Sequence, residues 1–343
     1  MKEKQVTPHK RSRFFLDKKM SMAVYVPVLV LAVICRTSQL FSNMDFNSGK
    51  YIDNSLMKNT TIGVLIIGFL LIGAVLIMGE SRDKSVKSCI LLNPMRLKVD
   101  RLNKKINPIV AAPFYVMAAL MFFDMLAPIA KTISRNAELS TPQAPVFIFS
   151  GISALDMTLS AVMLVCIITM IVTGVNVIRG DGITQGNCFF LTLYPVYKLI
   201  HIFKLIETYQ LIGPYSERAY IMIADICSAV FVLLLVRFFA GYEKKHTRIL
   251  LIFMAYVTSV VCAVSTIPRF IMFFVLEYKE RGRMLTPELT EIGMIILPVM
   301  VISVFWSAYV YRVMPKLSLT GMRRWTNLRV DGGGKAEMKD INS

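Results

Sequence analysis

Three histidines, His9, His201 and His246, leave the chain little with which to build a metal centre or an acid–base dyad. It contains no HExxH, no G-x-S-x-G elbow, no paired carboxylate motif in its polar loops and no phosphate-binding loop. The "GGGK" near the C-terminus lacks the strand and helix that must flank such a loop. No catalytic residue, cofactor or metal site is therefore expected, and an enzyme is not the expected class. Cysteine is equally unhelpful. The six thiols form no CxxC pair, and Cys35, Cys166, Cys227 and Cys262 fall inside apolar blocks, where a thiol packs as a small apolar group.

Charge is the next scarcity. Asp, Glu, Lys and Arg make up only 18% of 343 residues, against 55% apolar. Mean hydropathy is +0.58, and the run "TIGVLIIGFLLIGAVLIMG" at 61–79 carries no charge at all. A helix needs about 20 such residues to cross a hydrocarbon core. The chain reads as an all-α, polytopic transmembrane bundle of about eight spanning helices. The expected spans are 21–41, 61–79, 108–130, 148–178, 188–211, 217–240, 249–276 and 291–314.

The net charge of +17 has a distribution that excludes nucleic acid, because the basic residues flank apolar blocks instead of forming a stripe with exposed aromatics. They assign topology instead. With eight spans, most Lys and Arg fall on the side of the N-terminus, so both termini are expected in the cytoplasm. Were 188–211 to lie on the surface, 241–248 and the tail would face outward and that asymmetry would shrink. The expected organisation is a basic cytoplasmic N-terminus (1–20), a bundle (21–314) and a basic, disordered cytoplasmic tail (315–343). Within loop 80–107, Asn93–Ile106 has the pattern of a basic amphipathic helix suited to anionic lipid headgroups. The apolar run after the basic N-terminus continues as "CRTSQLF" without a small-residue cleavage site, so it reads as a first span and not a signal peptide.

The stretch "YPVYKLIHIFKLIETYQ" (194–210) places Lys198, His201 and Lys204 on one half of a helix whose other half is Leu, Ile and Phe. At ~1.5 Å per residue, Lys204 lies ~10 Å and His201 ~15 Å below the outer boundary, with Asp225 of the next helix at ~12 Å. An Asp225 pair with Lys204 or His201 is the expected contact. Arg36, Asp124, Asp156 and Arg269 fall in the same layer, roughly 7–12 Å deep. The four cations Arg36, Lys198, Lys204 and Arg269 formally balance Asp124, Asp156, Glu207 and Asp225. Asp124 and Asp156, if they faced each other, would share a proton. Prolines 27, 113, 195, 268 and 298 are expected to kink helices that neighbours support.

Two functions follow from this belt. Ionisable residues inside a membrane are functional by default, which points to a non-enzymatic protein that binds or translocates a small solute or ion through an outward-facing polar site. The alternative is a membrane subunit, scaffold or sensor whose charges are structural and whose basic segments dock a protein partner. The short loops and basic inside suit a bacterial cytoplasmic membrane.

Overall fold

A computed structural model describes residues 14–45, 50–51, 55–82, 107–139, 154–179, 185–207, 215–239, 247–275 and 288–300. The amphipathic segment Asn93–Ile106, the tail 315–343 and the last span beyond 300 lie outside the described residues.

Helices make up almost all of it: α1 (Phe14–Asn43), α2 (Ser55–Arg82), α3 (Asn107–Leu139), α4 (Ala154–Arg179), α5 (Gln185–Leu191), α6 (Leu193–Glu207), α7 (Tyr215–Phe239), α8 (Thr247–Val275) and α9 (Leu289–Met300). Two short strands, Met44–Asp45 and Lys50–Tyr51, pair antiparallel between α1 and α2, with Met44 opposite Tyr51. Helices suit lipid because each satisfies its own backbone hydrogen bonds. Among the described residues, six stretches are long and apolar enough to cross a membrane: Met22–Ser42, Lys58–Met78, Ala154–Arg179, Gly186–Ile206, Arg218–Arg237 and Leu250–Val275. Ala111–Ala127 and Leu289–Val299 are shorter apolar helices.

The distribution of burial is the reverse of that in a soluble protein. Leu70 is 68% exposed, Phe189 69% and Phe274 73%, whereas Arg36, Lys198, Asp225, Arg269 and Glu291 are buried. Apolar side chains on the outside are at home in hydrocarbon, and the polar ones are sheltered by the bundle. The chain has the character of a multi-pass membrane protein.

Six helices form a closed cycle of neighbours. α3 packs on α4, α4 on α6, α6 on α7, α7 on α8, α8 on α9, and α9 back on α3. Phe114, Met117, Met121, Met170, Tyr194 and Phe231 belong to the continuous core of this ring. The pair α1–α2 docks against α8 through a second core that includes Tyr25, Val28, Ile72, Tyr256 and Val260. α8 thus belongs to both cores, and hydroxyl groups fasten it. Thr258 donates to the Cys227 carbonyl of α7 at 3.0 Å, and Ser259 to the Ile295 carbonyl of α9 at 2.6 Å. Ser259 has a single hydroxyl proton, so in its 2.6 Å contact with Tyr25 of α1 the tyrosine is the donor.

Several boundaries differ from those expected. The span expected at 21–41 is matched by Met22–Ser42, but the helix that carries it starts earlier, at Phe14, since neither Gly nor Pro interrupts residues 14–26. The expected span 188–211 is two helices, α5 and α6, joined at Thr192, whose N–H and hydroxyl both reach the Phe189 carbonyl. Pro195 explains the break: it lacks an N–H, and the first turn of a helix is where that costs nothing. Pro27, Pro268 and Pro298 sit within α1, α8 and α9 without ending them.

Glycine sets how closely some helices approach. A Cβ on Gly68 of α2 would collide with Val28 of α1, and one on Gly174 of α4 would lie 2.8 Å from the Tyr115 ring of α3. Small residues at such crossings let backbones come together. Gly174→Leu should destabilise the protein by roughly 1–3 kcal/mol through overpacking. Gly63→Ala, where nothing lies within 4 Å, should be neutral. Thermal melting in detergent separates the two, and equal melting would refute the close crossing.

Candidate functional site

The buried charges gather at one end of the bundle, and the N-terminus of α9 is where they meet. A helix start leaves its first N–H groups without intrahelical partners and carries partial positive charge. Here Asp124 of α3 answers both needs: its carboxylate accepts from the Leu289 N–H at 2.9 Å and from the Thr290 N–H and hydroxyl. Asp124 stands fifteen residues before the end of α3 at Leu139, so α9 begins ~22 Å inside that helix end.

Glu288, immediately before α9, faces α6. Its Oε1 lies 2.8 Å from His201 Nε2, and the other ring nitrogen, Nδ1, lies 2.6 Å from Asp225 Oδ2 on α7. Asp225 Oδ1 in turn lies 2.6 Å from Lys198 Nζ. The result is a continuous chain, Lys198–Asp225–His201–Glu288. It runs from side chains that are 1% exposed to one that is 29% exposed. Tyr197 stacks on the imidazole at 6.3 Å between centroids, and Lys198 Nζ sits 5.3 Å from the Tyr197 ring centroid.

Three residues into the helix, Glu291 faces α8. Its Oε2 accepts from the Arg269 guanidinium and from the Thr266 hydroxyl. Arg269 also donates from Nε to the Ser265 carbonyl at 2.6 Å and from Nη2 to the Ser265 hydroxyl at 3.0 Å. Three helices therefore grip the start of α9: α3 through Asp124, α6 through Glu288, α8 through Glu291.

The positions of the expected belt residues can now be compared with this arrangement. Lys198, His201 and Asp225 come together, and Arg269 joins the same end through Glu291. Lys204 does not pair with Asp225. It lies 2.6 Å from Asp156 in the first turn of α4, both side chains being 33% exposed. Three-residue steps explain this, since each winds back ~60° around the axis and Lys204 points ~120° away from Lys198. Asp124 and Asp156 form no shared-proton pair; the first holds α9 and the second holds Lys204. Arg36 donates to Gln39 Oε1 at 2.7 Å and lies 4.0 Å over the Tyr220 ring, in the α1 part of the bundle. The side chain of Glu207 lies outside the described residues.

Glu288 and Glu291 were absent from the expected belt. The signal was present in "TPELTE" (286–291), where a Pro and two carboxylates three residues apart mark a helix start. A span assumed to begin at the membrane boundary places both glutamates outside the bundle, whereas α9 begins beside Asp124, within it.

Charge counting gives the cluster its chemistry. Lys198 and Arg269 are fixed cations, set against Asp225, Glu288 and Glu291, while Asp124 rests on the helix N–H groups. One positive charge is missing from this set unless His201 carries it. The geometry asks for the same thing: a neutral imidazole has one N–H, yet both ring nitrogens face carboxylates. His201 is therefore an imidazolium, or one of its two carboxylates holds the proton. Some acceptors remain open. Glu288 Oε2, Glu291 Oε1 and the Tyr194 hydroxyl are buried without a hydrogen-bond partner among the described residues. No cluster of three or more His, Cys, Asp or Glu suited to a metal ion occurs among the described residues.

No protein-family model, curated protein or solved structure matches this chain.

Asp225→Asn leaves two cations facing a neutral amide and should lower stability by about 3–5 kcal/mol, the cost of breaking a buried ion pair. Lys204→Met removes a pair whose side chains are a third exposed and should lower stability by less than Asp225→Asn does. Comparative melting in one detergent measures both, and an Asp225→Asn protein as stable as its parent would overturn the pairing.

Proposed function

We propose that this protein binds and translocates a small solute or ion through the polar end of its helix ring, without enzymatic chemistry. The carrying observation is the start of α9, which lies deep within the bundle and is surrounded by Asp124, His201, Glu288, Glu291 and Arg269. Helices that begin at membrane depth place a positive dipole end where a ligand can be held, beside the N–H groups that Asp124 already occupies here. The open acceptors of Glu288 and Glu291 add donor-seeking oxygens at the same place. A graded chain of ionisable groups from partly exposed to buried is the kind of arrangement through which membrane proteins move charge.

In this reading all eight apolar segments span the bilayer, both termini are cytoplasmic and the polar end opens outward. The basic loop 80–107 and tail 315–343 rest against anionic headgroups of a bacterial cytoplasmic membrane. A second reading has an observation of its own. Lys198–Asp225 and Arg269–Glu291 are closed, well-made pairs, as expected of a dry ion-pair network in a subunit, scaffold or sensor.

Water access separates them. In a variant lacking the six native cysteines, Ser265→Cys and Ser228→Cys place small thiols beside the network, and Lys50→Cys marks the loop between α1 and α2. A membrane-impermeant thiol reagent applied to intact cells should label all three. Labelling of Lys50→Cys alone would make the network dry and favour the structural reading.

A further inference from the structure

We propose that His201 is an exchangeable proton site, and that the proton it carries holds the start of α9 against α6. The inference deepens the proposed translocation site by naming its ligand as the proton, and it rests on that reading only for transport.

The geometry carries it. His201 bridges two carboxylates, Asp225 on α7 at 2.6 Å and Glu288 just before α9 at 2.8 Å. Only a doubly protonated ring donates to both. The groups facing it are fixed in sign. Its own helix supplies Lys198, one turn away, along with Tyr197 stacked on the ring, while Lys204 is occupied by Asp156 of α4. α7 supplies Asp225, the residue before α9 is Glu288 and α9 itself supplies Glu291, α8 supplies Arg269 to Glu291, and α3 supplies Asp124 to the helix N–H groups. Lys198 and Arg269 are each paired with a carboxylate, so Glu288 is left to His201. No other cation among the described residues is shown pairing with Glu288.

The proton has a defined way out. The Nε2–H bond breaks as an O–H bond forms on Glu288 Oε1, leaving a neutral imidazole that still donates from Nδ1 to Asp225. Glu288, partly exposed, then gives the proton to water and becomes a carboxylate again. What remains between α6 and α9 is an imidazole lone pair facing a carboxylate, two acceptors with no hydrogen between them. Attraction has become repulsion, and the α6 grip on α9 is released while those of α3 and α8 persist. A proton thus opens or closes one side of the ring at the place where a solute would meet it.

His9→Gln and His246→Gln leave His201 as the only imidazole in the full chain. With ¹⁵N-histidine labelling in lipid nanodiscs, NMR at neutral pH should show both ring nitrogens of His201 protonated. Glu288→Gln should move deprotonation to lower pH. A neutral ring at neutral pH, or a midpoint that Glu288→Gln leaves unchanged, overturns the proton site. Reconstitution with a trapped pH indicator then tests transport separately. An imidazolium with no proton flux upholds the site and sinks proton translocation. Flux across a neutral ring does the reverse.

Discussion

A helix that starts inside a membrane bundle is a problem that the surrounding structure must solve. Its first N–H groups are unsatisfied, water is scarce, and each unmet group costs several kcal/mol in hydrocarbon. α9 starts within the bundle, beside Asp124, and the polar residues of five helices are arranged around that start. Asp124 satisfies the N–H groups directly. Glu288 and Glu291, drawn to the positive end of the helix, bring two more negative charges that need cations of their own. Arg269 meets one and His201 the other. Asp225 and Lys198 then balance His201 from behind. Each charge in the chain is there because of the one before it.

The apolar part of the molecule makes such a centre tolerable. The ring of α3, α4, α6, α7, α8 and α9 turns its aliphatic and aromatic faces outward and shelters its ionisable residues within. α8 is the common wall, packed on the ring core on one side and on α1 and α2 on the other. Its hydroxyls at Thr258, Ser259 and Thr266 each reach a neighbouring helix, so side chains that a soluble helix would turn to water here tie helices together. Such bonds are worth about 0.6 kcal/mol on average between membrane helices, so packing at crossings such as Gly174–Tyr115 supplies much of the rest.

Much of this was legible from residues alone, for reasons that also mark where legibility stops. Long uncharged runs identify spanning helices because hydrocarbon thickness sets their length. His201 and Asp225 could be matched by depth because a short connection makes α6 and α7 antiparallel neighbours, and rise per residue is constant. Rotation is harder to read than depth, and so Lys204 turned out to face Asp156. Helix starts are harder still. Thr192 and Pro195 divide what reads as one span, and Glu288 and Glu291 were hidden by the assumption that the last span begins at the membrane surface. The feature that organises the site is thus one that hydropathy alone does not locate.

The most direct measurement of this account is a double-mutant cycle between His201→Gln and Glu288→Gln, followed by thermal melting at neutral pH in lipid nanodiscs. If the two side chains meet as an ion pair at the start of α9, their effects will not add, and the coupling will fall between roughly 0.5 and 3 kcal/mol. Additive losses would mean that His201 and Glu288 act independently, and the protonated bridge between α6 and α9 would have to be abandoned.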